Sequence, residues 1–301
     1  MTRIATLFNL TRINFVPASV LAFFMGSALA FREGYAVSPS RFFAAMIGVA
    51  AGHLAANTLN NYCDHASGAD SLETQTTPFF GGTKVICSEE ASPAAALLTA
   101  SILAFVAFIS VWAVFVMTAD AVFIILAVTA AFLGAEYTAR PLRFSYRGMG
   151  EAVIFFLFGP MLVSGSFYLF SGFFSIGSFL LSLVPGGLIF SVIVLNEIPD
   201  ADTDKTAGKN NLVVIAGKEL AVFFYVSGAV VSALSLAVSV LKGILPPFAM
   251  AILLPYAAIF AVFAKMSEHI PGAEGMSRFS GITVATHALV TLLLTAVLIV
   301  S

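Results

Sequence analysis

Oxygen-bearing side chains recur every four residues at the end of one apolar run. Asn196, Asp200 and Asp204 have this spacing, which places them on one face if the segment is helical. Hard divalent cations such as Mg²⁺ prefer oxygen ligands, and a metal bound here could bridge to a phosphate. Lys209 follows, where its ammonium group could contact phosphate oxygens. The alternative interpretation is an acidic helix end followed by a solvated loop.

A second copy of this pattern lies upstream. Asn60 and Asp64 repeat the spacing, and Asp70 follows a turn that contains Gly68. Asn60 and Asn196 are 136 positions apart, and each closes a long apolar segment. Half-sites in corresponding positions of two halves predict one composite site at their interface. Facing acidic clusters repel each other unless cations lie between them, so we predict a pair of Mg²⁺ ions that holds a diphosphate.

The composition is that of an integral membrane protein. Only 10% of the residues are charged and 59% are hydrophobic, which separates the chain from soluble enzymes. The net charge of −2 is uninformative about partners, and we expect no nucleic-acid partner for a membrane protein of this kind. The two cysteines, Cys63 and Cys87, form no CxxC pair and predict no disulfide framework.

Nine apolar runs of about membrane-spanning length follow one another along the chain. They cover about residues 15–31, 42–60, 94–118, 121–138, 152–170, 179–195, 220–241, 246–264 and 281–300. We therefore predict an all-α, multi-pass membrane protein with nine transmembrane helices around one central cavity. Residues 1–301 would form a single domain, with pseudo-repeat halves of about 1–150 and 151–301.

The lysine and arginine residues predict the orientation. With the N-terminus inside, eleven of them lie on the cytoplasmic side and three, Arg32, Arg41 and Lys242, on the other. This bias puts both acidic motifs on the cytoplasmic face. The long polar segment 61–93, with Thr76 to Lys84 at its centre, lies on the same face, and a loop of this length is usually functional.

Several motifs together resemble a known family. Asn60-x-x-x-Asp64 with Asp70, and Asn196-x-x-x-Asp200-x-x-x-Asp204, are similar to the two aspartate-rich motifs of UbiA-type intramembrane prenyltransferases. That family has nine transmembrane helices, with the motifs on the loops after helices two and six. The resemblance covers nearly the whole chain.

One branch of the family is most similar. The segments Tyr137-Thr-Ala-Arg-Pro-Leu-Arg-Phe-Ser-Tyr-Arg-Gly-Met-Gly-Glu151 and Phe15-Val-Pro-Ala-Ser19 resemble the 1,4-dihydroxy-2-naphthoate polyprenyltransferases. Two departures concern the acceptor. Asn61 stands where the branch usually has Asp, and Thr77-Pro78-Phe79-Phe80 stands where it usually has Arg-Pro-Leu.

The resemblance implies a reaction and a set of roles. The reaction is Mg²⁺-dependent transfer of a polyprenyl group from its diphosphate to an aromatic quinone precursor, with 1,4-dihydroxy-2-naphthoate as the expected acceptor. The expected catalytic residues are Asp64, Asp200 and Tyr137. The expected metal ligands are Asn60, Asp64, Asp70, Asn196, Asp200 and Asp204. The expected diphosphate contacts are Lys84, Arg140, Arg143 and Lys209, and the acceptor contacts are His53, Asn57 and Glu197, with Glu151 as a further candidate.

Structural explanations stand beside some of these roles. The basic residues could simply anchor the cytoplasmic loops, Tyr137 could belong to an interfacial aromatic belt, and His53 could be a hydrogen-bonded core histidine. Asp202 lies two residues off the acidic stripe, so we expect it to face outward.

Other functions remain open. The same fold could serve another acceptor (4-hydroxybenzoate, a prenylglyceryl phosphate or haem) or a terpene cyclase without an acceptor. A transporter is the other class, but the polar residues cluster at one membrane face and the spans carry no acid near their middle. The expected partners are a polyprenyl diphosphate, an aromatic acceptor and the lipid bilayer. We expect a bacterial or archaeal inner membrane with the active site facing the cytoplasm.

Overall fold

The computed structural model describes residues 3–72 and 77–301 of the chain. Thr76, the first residue of the central part of the predicted polar segment, lies outside the described residues. Within the described ranges the secondary structure is helical apart from turns and one isolated β-bridge between Arg147 and Asn210.

The described helices are numbered here in chain order. They are α1 (Arg3–Thr11), α2 (Val16–Arg32), α3 (Pro39–Ser67), α4 (Ala69–Leu72), α5 (Pro93–Thr118), α6 (Val122–Ala135), α7 (Gly150–Ser171), α8 (Ile176–Thr206), α9 (Leu212–Ala216), α10 (Lys218–Leu241), α11 (Pro247–Glu268) and α12 (Ala273–Val300). In the described part of the chain, eight are long and apolar enough to cross a membrane, and α6 is a shorter apolar helix. The prediction of an all-α, multi-pass membrane protein is confirmed, and the eight described spans together with α6 agree with the predicted number of nine.

Three helices extend well beyond their predicted ends. Helix α3 continues to Ser67 instead of about residue 60, α8 continues to Thr206 instead of about 195, and α12 begins at Ala273 instead of about 281. Hydropathy marks where a segment leaves the apolar layer, whereas backbone hydrogen bonding continues into the polar turns beyond it. Both acidic motifs therefore begin on helices, and not on the loops that follow them.

Helix α8 is the most buried of the spans and forms the centre of the bundle. It packs against α7 and α10 through small residues on both sides. A Cβ atom at Gly159 of α7 would lie 2.8 Å from the Cα of Gly186, and one at Gly187 would collide with the carbonyl oxygen of Gly228 on α10. Backbones this close require glycine, as in other membrane helix crossings.

Helix α3 is held differently. It packs along α5 at the side of the bundle and also contacts α1, α2 and α6. Its polar end is tied to α1, because the Asn61 side-chain amide donates to the carbonyl oxygen of Leu10 at 2.8 Å.

Helix α7 contains a wide π-helical stretch from Leu157 to Ser164 around Pro160. Proline lacks the donor that a regular α-helical turn needs, which accounts for the irregular stretch.

Candidate active site

The two acidic motifs meet at one end of the bundle through a glycine pair. The Asp200 carboxylate accepts a hydrogen bond from the backbone N–H of Gly81 at 2.9 Å. The Asp70 carboxylate lies against the next residue, because a Cβ at Gly82 would be 2.8 Å from Asp70 Oδ1. Both glycines have positive φ, 82° and 65°, which other residues rarely adopt. The Gly81–Gly82 dipeptide, in the loop after α4, therefore contacts both acidic motifs, through Asp70 and Asp200.

Two acids of α8, Asp202 and Asp204, are held by partners from their own half of the chain. Asp204 is buried, accepts a hydrogen bond from the Asn211 side-chain amide at 2.7 Å, and lies 3.5 Å from the Lys209 ammonium group. Asp202 is exposed and pairs with Lys218 at 2.7 Å, so it faces outward as its position off the stripe predicted. Asn196 is buried, and its Oδ1 has no hydrogen-bond partner among the described residues.

The acid of α3 has a free oxygen. Asp64 Oδ1 is buried and has no hydrogen-bond partner in the part of the chain that the structure describes. Three positive charges lie close enough to attract this carboxylate, those of Lys209, Arg12 and Arg143. The positive charge of Arg12 also acts on Asp200. The same positive charges therefore attract carboxylates of both motifs.

The asparagines of α3 bind the protein itself. The Asn60 carbonyl oxygen accepts a hydrogen bond from the Thr138 hydroxyl. The Asn57 amide donates to the carbonyl oxygen of Thr11 at 3.3 Å, and Asn61 donates to Leu10 as described above. An aspartate at position 61 could not donate that bond. The contact with α1 therefore explains why position 61 holds asparagine and not aspartate.

The expected diphosphate contacts do not all converge. Lys209 lies among the acids, and Arg143 lies 3.4 Å above the ring of Tyr146, near Asp64. Arg140 is exposed, and Lys84 is half-buried with a positive φ of 52°. Arg12 was not among the predicted site residues, because nothing in its sequence position distinguishes it from an ordinary basic anchor before the first span.

Burial and the neighbouring charges together set the pKa values of Lys209 and Tyr137. Burial alone would lower the pKa of Lys209, but the negative charges of Asp204 and Asp64 outweigh it and raise the pKa well above 10.5. Burial, reinforced by the negative charge of Glu197, raises the pKa of Tyr137 well above 10. At neutral pH the site thus contains a charged lysine and a neutral phenol.

The histidine expected at the acceptor is bound within the core. His53 Nδ1 lies 2.9 Å from the Ser19 hydroxyl, and its ring packs edge-on against Phe158 with centroids 5.0 Å apart. These contacts are those of a hydrogen-bonded core histidine, and a role for His53 at the acceptor stays a prediction.

The sequence profile of the UbiA prenyltransferase family matches residues 19–279. The chain belongs to this family.

Two relatives and one solved structure extend the comparison of this UbiA-family protein. The 1,4-dihydroxy-2-naphthoate octaprenyltransferases of Escherichia coli and Haemophilus influenzae are 26% and 29% identical to it over 204 and 216 residues. Each match covers 67% of this chain and 66% of the relative, just under two thirds of the relative's length. A UbiA homologue from Archaeoglobus fulgidus, bound to GPP and Mg²⁺, has the same fold, with a TM-score of 0.64 at 16% identity over 97% of this chain and 100% of that one.

As a UbiA-family member with these helices, the protein is an integral membrane protein. Its donor atoms fit Mg²⁺, since the free oxygens of Asp64 and Asn196 are hard ligands. Among the described side chains, no three from His, Cys, Asp and Glu are close enough to hold a metal by themselves. Protein sites for Mg²⁺ typically supply one or two carboxylates and leave the rest to phosphate and water. The arrangement therefore suits a metal that arrives with a diphosphate.

Proposed function

We propose that this membrane protein transfers a polyprenyl group from a polyprenyl diphosphate to an aromatic quinone precursor, with 1,4-dihydroxy-2-naphthoate as the acceptor. One observation carries the proposal. Carboxylates from both motifs and the cations Lys209, Arg12 and Arg143 gather at one end of an apolar bundle. Such a site suits an anionic head group that carries a lipid-soluble tail. The names of the two bacterial relatives support the choice of acceptor.

The reaction requires a carbon–oxygen bond of the donor to break, and the diphosphate leaves with the electron pair. A ring carbon of the acceptor then forms the new carbon–carbon bond, and the proton on that carbon leaves to restore the aromatic ring. Lys209 and Arg143 would bind the diphosphate oxygens, since both lie beside Asp64. Arg12 would join them, and Lys84 and Arg140 would have to turn toward the site when the donor binds.

Mg²⁺ would be held by the oxygens of both motifs. We assign this role to Asp64, Asp200 and Asp204, with Asn60, Asp70 and Asn196 orienting or supplementing them. When bound, the metal neutralises the charge that develops on the leaving diphosphate. Asp200 and Asp70 also position the Gly81–Gly82 pair.

Tyr137 would face the reacting carbon as a neutral phenol. Its ring packs against Gly150, where a Cβ would approach to 3.1 Å, so the side chain is fixed at the start of α7. The face of an aromatic ring stabilises a neighbouring cation, here the allylic cation of the donor. A phenol with a raised pKa cannot serve as the base, so Tyr137 would act through its ring or as a hydrogen-bond donor.

Two broader statements belong to the same proposal. The lysine and arginine bias favours a site that opens to the cytoplasm. The placement of one motif on α3 and the other on α8 favours two pseudo-repeat halves, about 1–150 and 151–301, around one cavity. Labelling a single cysteine introduced beside the site with a membrane-impermeant reagent, in vesicles of known orientation, tests the first statement.

The test is diphosphate release by the purified protein in lipid vesicles with Mg²⁺, farnesyl or geranylgeranyl diphosphate, and a panel of acceptors. We expect release that requires the metal and 1,4-dihydroxy-2-naphthoate, and a fall of about 10²–10³-fold in Asp64→Asn or Asp200→Asn. Release without any acceptor would favour a cyclase instead, and release only with 4-hydroxybenzoate or a prenylglyceryl phosphate would change the acceptor. No release with any donor would refute the proposal.

A further inference from the structure

One face of helix α1 is fixed to the elements around the first acidic motif. Leu10, in the last turn of α1, is 3% exposed and forms a small apolar cluster with Val85 and Ile86 of the loop after α4 and with Ala96 of α5. The backbone carbonyl oxygen of Leu10 also accepts the side-chain amide of Asn61 on α3. Helix α1 is therefore in contact with both the loop and the helix that form one side of the site.

Another face of α1 is apolar and exposed. Ile4, Leu7 and Phe8 are 70%, 49% and 50% exposed, and none of them belongs to an apolar cluster of the described residues. Their spacing of three and four residues places them on one side of the helix. Ile13, just after the helix, is exposed as well. A contiguous group of exposed apolar side chains marks a surface that interacts with a partner or a membrane.

The neighbours of α1 place it at the boundary of the apolar layer. It receives hydrogen bonds from Asn57 and Asn61 of α3, and the apolar run of that helix ends at about residue 60. Its contact on α5, Ala96, lies near the start of an apolar run that begins at about residue 94. The next two residues of α5, Leu97 and Leu98, are exposed. The exposed face of α1 thus lies at the level where the lipid-facing surface begins.

The end of α1 carries a positive charge into the site. Arg12 follows the helix directly and has a left-handed φ of 50°, which residues other than glycine rarely adopt. It is half-buried, and its charge attracts the carboxylates of Asp64 and Asp200. Because no residue separates Arg12 from α1, the position of this charge depends on where the helix lies.

We propose that the apolar face of α1 docks on the lipid of the membrane interface, and that this contact holds Arg12 and the loop after α4 in place at the site. Lipid is the occupant, because the face lies at the membrane boundary and next to the exposed Leu97 and Leu98. Short amphipathic helices bind such interfaces with their apolar side among the acyl chains. The lipid contact is independent of the proposed function, whereas its effect on donor binding rests on that function.

Fluorescence quenching tests the lipid contact directly, since Trp112 is the single tryptophan of the chain. In a Trp112→Phe background, Phe8→Trp reports on the apolar face. Asn9→Trp is the matched control, because Asn9 is also exposed but lies about 100° further around the helix. In vesicles of phosphatidylcholine brominated near the head-group end of its acyl chains, Phe8→Trp should be quenched several-fold more than Asn9→Trp. Aqueous iodide should give the opposite order.

Two other results would overturn the inference. Quenching of Phe8→Trp by iodide alone would show that the face is solvated. Protection of Phe8→Trp from both quenchers would show that a protein, or a second copy of the chain, covers the face.

A pair of double variants tests the effect on the donor. Ile4→Gln/Phe8→Gln removes two apolar side chains from α1. Ile176→Gln/Phe179→Gln removes the same two residue types from the start of α8, at the opposite end of the bundle, where they are 80% and 51% exposed. The α1 pair should raise the half-saturating concentration of the polyprenyl diphosphate about fivefold, with little change in turnover at saturation. The α8 pair should match the wild type. Equal changes in both pairs, or no change in either, would overturn the inference.

Hydrogen exchange separates a failure of this inference from a failure of the proposed function, because it needs no activity. The backbone N–H groups of Ser88 and Ala91 are hydrogen-bonded within the loop after α4. They should exchange several-fold faster in Ile4→Gln/Phe8→Gln than in the α8 pair. Unchanged exchange would overturn the coupling between α1 and the loop. If the wild type releases no diphosphate with any donor, the proposed function fails, and quenching and exchange still decide this inference.

Discussion

The two acidic motifs have similar spacing in sequence but different surroundings in the structure. On α8, Asp204 is paired with Asn211 and Lys209, and Asp200 receives the N–H of Gly81. On α3, Asp64 retains a buried oxygen without a partner among the described residues, although cations lie near it. The carboxylates of the α8 motif are engaged by the fold, whereas Asp64 of the α3 motif keeps an oxygen without a described hydrogen-bond partner.

This difference indicates a division of roles between the two helices. The acids of α8 fix the loop and the lysine that surround the site, so they contribute to structure as well as charge. The asparagines of α3, at 57, 60 and 61, hold α1 and the Thr138 segment in place. Asp64 is left as the side chain of that motif whose free oxygen serves no structural contact, which suits a ligand for a bound metal.

Replacing the two aspartates should separate stability from function. Asp204→Asn should lower the free energy of unfolding by about 3 kcal/mol, because Lys209 loses the partner that offsets its burial. Asp64→Asn should lower it by less, because Oδ1 has no hydrogen bond to lose and Lys209 keeps its closer partner Asp204. Thermal unfolding of both variants in the same lipid nanodiscs checks this. Equal losses in the free energy of unfolding would mean that Asp64 and Asp204 contribute equally to stability.

Replacing Asn61 with aspartate should be harmful. Asn61→Asp removes the donor to Leu10 and places a carboxylate oxygen against a buried carbonyl oxygen. We expect a loss of about 2 kcal/mol in stability and no gain in Mg²⁺-dependent diphosphate release. Asn57→Asp, whose bond to Thr11 is longer, should lose less stability. A more active Asn61→Asp protein would show that position 61 faces the metal instead.

The glycine pair that joins the motifs can be tested against a glycine of similar conformation. Gly82→Ala strains a φ of 65° by about 1 kcal/mol and also pushes against Asp70, whereas Gly172→Ala strains a φ of 80° in open space. Both should lose similar stability, but only Gly82→Ala should lose activity, by several-fold. The measurement is diphosphate release at matched amounts of folded protein. Equal activities would show that the Asp70 contact is incidental.

The smallest expected effect is that of pH on Lys209. Since its pKa is raised, its contribution to stability is complete at every pH below 10.5 and is lost only as pH rises through the folded-state pKa. The charge should therefore persist from about pH 7 to about pH 9. The half-saturating concentration of the donor should change with pH in the same way for the wild type and for Lys209→Arg. A wild type that weakens relative to the arginine variant would place the pKa within the range.

The sequence predicted the features that depend on local spacing. The four-residue period of Asn196, Asp200 and Asp204 indicated one helical face, and composition with hydropathy indicated nine spans. The ends of α3 and α8 were placed too early, because hydropathy follows the membrane and not the backbone hydrogen bonds.

Contacts between distant segments could not be predicted from one sequence. Gly81 lies 119 positions from Asp200, and nothing local to either residue indicates that they meet. In sequence, Arg12 looks like any basic residue before a first span. Asn61 looks like the replacement of a metal-binding aspartate, and only its bond to Leu10 shows its structural role. Such pairings depend on which loop docks on which helix, which is a property of the whole fold.

The polar contacts of this protein lie at one end of helices whose outer faces are apolar, as on α5, where Phe105, Phe108 and Trp112 are exposed. The polyprenyl donor of the proposed function dissolves in the bilayer, so its mole fraction in the lipid, and not its bulk concentration, would set the rate. Inert lipid added at constant total donor should then lower the turnover.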